Sequence, residues 1–283
     1  MDYATFGPAG NGQAFYDAGW KHTAQAPAWL HTIGLDAYEY QCGQGVRGSE
    51  ATFREIGEKA VEYGIRMSLH APYFISLSSV EEEKRKNSIL YIRDSIHAAE
   101  ILGADTVVIH TGSAAKLSRE KAVELAKDTM DLALCEIGNT PVHFGLETMG
   151  KLNQLGTLEE VLEICSISDA LYPVVDFGHL NAREQGCFFT TDDYRRVFDR
   201  IATVLGDEKA RYLHCHFSKI EYTKAGEKQH LTFADTQYGP PFEPLLEAIA
   251  RDGLAPRIIC ESSGTQAEDA LTMKQYYRSL LGT

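Results

Sequence analysis

Six residues carry most of the chemistry open to this chain. His70, His110, Glu147, Asp176, His216 and Glu261 each stand at or beside the C-terminal end of a short apolar run. If those runs are neighbouring strands, the six side chains share one rim. Converging carboxylates are costly to bury, because like charges repel and each loses its hydration, so Glu147, Asp176 and Glu261 together call for cations or shared protons. Metal is the economical solution. Imidazole suits zinc, iron or manganese, and carboxylate oxygens can bridge two ions, so the mixed donor set predicts a dinuclear or trinuclear centre, not a magnesium cage. Zinc fits it best, with Mn2+ or Fe2+ as alternatives. Further donors follow the runs: His179, His230, and His214 two residues before His216. Residues two apart in a strand share a face, so His214 either points inward beside His216 or packs behind it.

The elements that must position these residues follow from periodicity. Short runs rich in β-branched residues alternate with longer segments of helical period, as in repeated βα units. Clear strands are expected at Arg66–His70, Thr106–His110, His143–Glu147, Tyr172–Asp176, Tyr212–His216 and Arg257–Glu261, and weaker ones at Tyr3–Phe6 and Ala37–Tyr40. Helices are expected at Glu81–Leu102, Ser118–Ile137, Leu158–Cys165, Thr191–Leu205, Phe242–Arg251 and Thr265–Leu281, two of them opening on Ser118 and Thr191 as caps. Eight such units predict a closed (β/α)8 barrel occupying residues 1–283 as a single domain. No G-x-G-x-x-G follows an early strand, which disfavours a dinucleotide-binding sheet. The longest irregular stretches, 41–49 and roughly 219–241, follow strands and so belong to the face where barrels place their active sites.

The chain has 283 residues, 44% hydrophobic, enough to bury one large core. Its formal charge of −13 gives no general attraction to a polyanion unless bound cations reverse the field in one cleft. Lys116, Lys151, Lys219 and Lys224 are open to phosphate contact, but a loop lysine is usually a solvated surface charge, and none is assigned a role. The six cysteines form no C-x-x-C pair and predict reduced thiols in a cytoplasmic protein. Neither a leader pattern nor an apolar run long enough to span a bilayer is visible, so no membrane association is expected, and no protein partner is implied.

Leu69-His70-Ala71-Pro72-Tyr73, Val108-Ile109-His110-Thr111-Gly112-Ser113, Leu146-Glu147-Thr148, Asp176-Phe177-Gly178-His179, His216-Phe217-Ser218 and Cys260-Glu261-Ser262 resemble, in order, the signatures of the endonuclease IV family. That resemblance implies one zinc held by His70, His110 and Glu147. A second would be held by Glu147, Asp176, His216 and Glu261, and a third by His179 and His230. It also implies hydrolysis of DNA 5′ to abasic sites, with Glu147 and Glu261 catalytic and Tyr73 beside the damaged nucleotide. Three departures stand out, one of them Thr148-Met149-Gly150-Lys151 after Glu147, where the family usually runs Asn-Thr-Ala-Gly. Where the family has an Asp-x-His pair, this chain reads Lys228-Gln229-His230, so the third ion is short of a ligand unless the loop lets Glu227, offset by one, reach it. The family's DNA-recognition sequence after the second strand is absent near Gln41–Arg47. The related xylose-isomerase-like group, including ketose 3-epimerases, is the rival: there Glu147, Asp176, His216 and Glu261 would hold one metal and act on a small sugar. Two extra imidazoles, His70 and His110, favour the nuclease.

Overall fold

The computed structural model describes residues 3–114 and 117–282, so Lys116 lies outside the described residues. Seven strands come first: β1 (Thr5–Pro8), β2 (Ala37–Gln41), β3 (Arg66–His70), β4 (Thr106–His110), β5 (His143–Glu147), β6 (Leu171–Asp176) and β7 (His214–Phe217). A hairpin of β8 (Ile220–Thr223) and β9 (Gly226–His230) follows, then β10 (Arg257–Cys260). The sheet order is β1-β10-β7-β6-β5-β4-β3-β2, with every pairing parallel. The ring closes between β1 and β2, where Asp36 N–H donates to Phe6 O (2.9 Å) and Gly10 N–H to Glu39 O (3.0 Å). Gly7 makes that approach possible, because a Cβ there would lie 1.7 Å from the Ala37 carbonyl oxygen. The expected (β/α)8 barrel is therefore the fold.

Strands covered by helices on one side and barrel core on the other should read as continuous apolar runs, and Val107, Val108 and Ile109 of β4 are all fully buried. Helices start where the caps say they should. Ser49 Oγ accepts from Thr52 N–H at the head of helix Glu50–Tyr63, and Ser118 Oγ from Lys121 N–H at the head of Arg119–Ile137. Several boundaries move by one or two residues, among them these three. The cap of helix Thr191–Leu205 is Thr190, not Thr191, because Asp193 reaches back to the Thr190 N–H at 2.8 Å in a capping box. β1 begins at Thr5, two residues later than expected. β7 begins at His214, because a short helix, Asp207–Arg211, runs up to Tyr212. The expected loop over 219–241 contains the β8–β9 hairpin, which the site below explains.

All six cysteines are free thiols. Among the described residues no helix is long and apolar enough to cross a membrane.

Candidate metal centre

The strand ends deliver the six residues to one place. His70, His110, Glu147 and Asp176 are the last residues of β3, β4, β5 and β6; His216 lies in β7 and Glu261 directly follows β10. His110 is in register with Glu147, and Asp176 with His216. Glu147, fully buried, is the hub. Its Oε2 lies 3.1 Å from His110 Nε2 and 3.4 Å from His70 Nε2, and its Oε1 lies 3.0 Å from His216 Nδ1. Glu261 Oε1 is 3.5 Å from the same His216 nitrogen. Asp176 caps helix Phe177–Arg183, accepting the His179 N–H through Oδ1 at 2.8 Å and leaving Oδ2 free to face the cluster. Two overlapping groups result: His70, Glu147 and His216 have donor atoms within 4.8 Å of one another, and so do Glu147, Asp176, His216 and Glu261.

Hydrogen-bond bookkeeping tests whether these donors suit a cation. A carbonyl oxygen only accepts, so His70 Nδ1, 2.8 Å from Ala71 O, carries the proton and Nε2 presents a lone pair towards Glu147. His179 Nδ1 likewise donates to Thr148 O at 2.9 Å, and His216 Nε2 donates to a buried carboxylate. In each ring the second nitrogen faces a carboxylate oxygen, lone pair to lone pair wherever the ring is neutral. Glu147 Oε2 and Asp176 Oδ2 are buried and make no hydrogen bond. Such an arrangement repels unless positive charge lies between the partners. The electrostatics agree: burial alone would push the Glu147 carboxyl up, but His216, His110 and His179 hold it well below the usual carboxylate range. Burial would lower His216 and His179, yet Glu39, Glu261 and Glu147 around the first, and Asp176 and Glu147 beside the second, lift both well above the ordinary imidazole value. Burial, with Glu147 and Asp176 nearby, raises Glu261 despite His216 and His230. The imidazole and carboxylate set fits divalent metal better than a store of protons.

The third cluster answers the question of Glu227's reach. Glu227 Oε2 lies 3.5 Å from His179 Nε2, and its Oε1 lies 4.0 Å from His230 Nε2. Residues three apart in a regular strand point to opposite faces. Here Tyr222 pairs with Glu227 but Glu221 pairs with Gln229, so Lys228 is an extra, bulged residue. The bulge pairs Lys228 with Glu221 (2.6 Å) and puts Glu227 on the side of His230. Gly150 makes room: a Cβ there would stand 2.6 Å from Glu227 Cβ and 3.1 Å from His179 Cδ2. His230 is oriented by Ser218 Oγ, 2.8 Å from its Nδ1.

One buried carboxylate beside the cluster escaped the sequence reading. Glu39, in the middle of β2, is fully buried, and its carboxylate meets His214 Nε2 at 3.0 Å and His216 Nε2 at 3.1 Å. An acid within Ala37-Tyr38-Glu39-Tyr40 was the available signal. The structure also settles His214: it points inward, to Glu39, and burial pushes its imidazole down to about 4.

Above the centre lies a cavity of about 1100 Å3, lined by His70, His110, Glu147, His179, Glu227, His230 and Glu261, with Arg47, Lys151 and Lys228 also on its wall. Tyr73 is half exposed on that wall. Its ring stacks on His110 with centroids 5.4 Å apart, and its hydroxyl donates to Gln41 Oε1 at 3.2 Å.

A family model described as a xylose isomerase-like TIM barrel matches residues 27–279. The uncharacterized protein MJ0133 of Methanocaldococcus jannaschii is 32% identical over 253 residues, 87% of this chain and 89% of that protein. A probable endonuclease 4 of Methanosphaera stadtmanae is 27% identical over 155 residues, 53% of this chain and 54% of that protein, so this chain spans about half the length of that relative. Endonuclease IV from Thermus thermophilus superposes with a TM-score of 0.70 at 20% identity, covering 100% of this chain and 99% of that one. A D-tagatose 3-epimerase-like protein superposes with a TM-score of 0.67 at 21% identity, covering 98% and 97%. These two superpositions speak to the fold alone.

Proposed function

Since the chain belongs to the xylose isomerase-like TIM barrel family, we propose that it is a zinc-dependent endonuclease IV-like phosphodiesterase, cutting duplex DNA 5′ to abasic sites in base-excision repair. One observation carries this reading: Glu227 stands beside His179 and His230, where the acid absent from position 228 would be needed, so three candidate ligand groups gather at one cavity. A sugar isomerase needs only one of them.

His70, His110 and Glu147 would hold one ion; Glu147, Asp176, His216 and Glu261 a second; His179, Glu227 and His230 a third. Bound there, the ions would lower the pKa of water and neutralise charge gathering on phosphorus and on the leaving oxygen. Glu147 touches two of the groups through its two oxygens and holds their spacing. Glu261 lines the cavity directly after β10 and would take the proton of the attacking water as the new O–P bond forms; the bond to the 3′ oxygen breaks and that oxygen leaves, taking a proton from solvent. Tyr73 would occupy the space left by the missing base, and Arg47, Lys151 and Lys228 would meet phosphates at the mouth.

The test is incision of a duplex oligonucleotide carrying one abasic analogue by zinc- or manganese-replete protein. The expected product ends in a 3′-hydroxyl, and Glu261→Gln lowers the rate by about 10²- to 10⁴-fold. No incision by fully metallated protein refutes the reading. The second reading, a metal-dependent sugar isomerase or epimerase, is favoured by the convergence of Glu147, Asp176, His216 and Glu261 as a self-sufficient set and by the charge of −13. One ion per chain in elemental analysis, with turnover of a ketose, would establish it instead.

A further inference from the structure

The geometry points to Glu39 as a positioning residue that, braced by His214 and Ser68, fixes the His216 ring so that its Nδ1 faces Glu147, Asp176 and Glu261. The inference rests on the metal reading of those four residues, but not on the choice between nuclease and isomerase. Glu39 lies one layer below the strand ends, inside the barrel, where bulky apolar side chains ordinarily fill the core. Its carboxylate is instead fully engaged. Oε1 accepts from Gln41 Nε2 at 3.1 Å, Oε2 from Ser68 Oγ at 3.0 Å and from His214 Nε2 at 3.0 Å, and both oxygens lie within 3.2 Å of His216 Nε2.

The register explains the meeting. Glu39 sits directly opposite Ser68 across the β2–β3 ladder, and His214 and His216 share the inner face of β7. Glu39, His214 and His216 could be mistaken for a further metal site, since their donor atoms lie within 4.8 Å of one another. Each contact is already a hydrogen bond of 3.0–3.2 Å, so no ion is needed there. A carboxylate on the far nitrogen of a ligating imidazole sets its tautomer, locks its rotation and strengthens the near nitrogen as a donor. Glu39 provides all three for His216, and His214 and Ser68 keep the carboxylate from turning away.

The experiment is titration of Zn2+ against a chromogenic chelator, alongside thermal unfolding of the metal-free protein. Glu39→Gln is expected to weaken binding at the Glu147/Asp176/His216/Glu261 site by about 10- to 100-fold. In a His216→Ala background the same substitution is expected to cause no further loss, because its effect passes through that ring. Wild-type affinity in Glu39→Gln, or an equal loss with and without His216, overturns the inference. Where Glu39→Gln yields no folded protein, His214→Leu and His214→Gln carry the test: the first is expected to lose affinity and the second, which can still donate to Glu39, to regain it. Unchanged affinity in His214→Leu overturns the inference equally. Failure of the wild-type protein to bind zinc would sink the metal reading itself, a result distinct from either.

Discussion

Replacing Gly150 by alanine tests how the third ligand group is assembled. The new Cβ would sit 2.6 Å from Glu227 Cβ and 2.8 Å from its Oε2. Ordinary contact begins at 3.4 Å, so the two carbons must part by 0.8 Å (3.4 less 2.6). Glu227 is held on a bulged hairpin whose neighbouring Gly226 packs against the Gly150 backbone, so the strand has little room to retreat. The carboxylate would be displaced by most of that distance. Misplacing a catalytic group by ~1 Å costs on the order of 10²-fold in rate, and overpacking costs about 1–3 kcal/mol of stability. Elemental analysis should show the loss of one ion per chain, incision of the abasic duplex should slow by that order, and the unfolding temperature should fall by a few degrees. Adding Glu227→Gly, which removes the opposing Cβ, should recover much of the unfolding temperature by relieving the clash, while leaving the ion absent. A Gly150→Ala protein with a full ion complement and wild-type incision would refute the assignment of Glu227 to this group.

Two further outcomes follow from the same geometry. Chelation should lower the unfolding temperature, and zinc at about a thousand times its dissociation constant should return roughly 4 kcal/mol per ion, read by calorimetry; an unfolding temperature indifferent to chelator would count against metal at the Glu147 hub. Asp105 meets Arg257 Nη2 at 2.5 and 2.6 Å, and although burial raises its carboxyl, Arg257 and Arg66 hold it well below the usual range. A depressed carboxyl stabilises the fold above its unfolded pKa of about 3.9 and loses that contribution as pH falls towards the folded value. Asp105→Asn should therefore flatten the loss of stability below about pH 4, and an unchanged acid limb in urea unfolding would disprove the pairing's role.

How much of this was legible beforehand depends on how local each cause is. His70, His110, Glu147 and Asp176 end short, largely apolar strands, and a run that stops at a metal-capable residue announces both the strand and the site. The barrel followed from counting such runs. Ser118 announced its helix by local capping chemistry, whereas Thr190 was overlooked because Thr191 offers the same hydroxyl and only the returning Asp193 side chain decides between them.

What the chain alone determined, then, was a ring of parallel strands with imidazoles and carboxylates on one rim, because strand period and strand ends are properties of neighbouring residues. Tertiary structure decided the rest. Glu227 became a candidate ligand through a bulge that depends on how β8 meets β9 and on the space left by Gly150. Glu39 acquired its partners from β3 and β7, 29 and 175 residues away, once the barrel closed. Neither spacing exists along the sequence; both arise from which strands lie side by side and in what register.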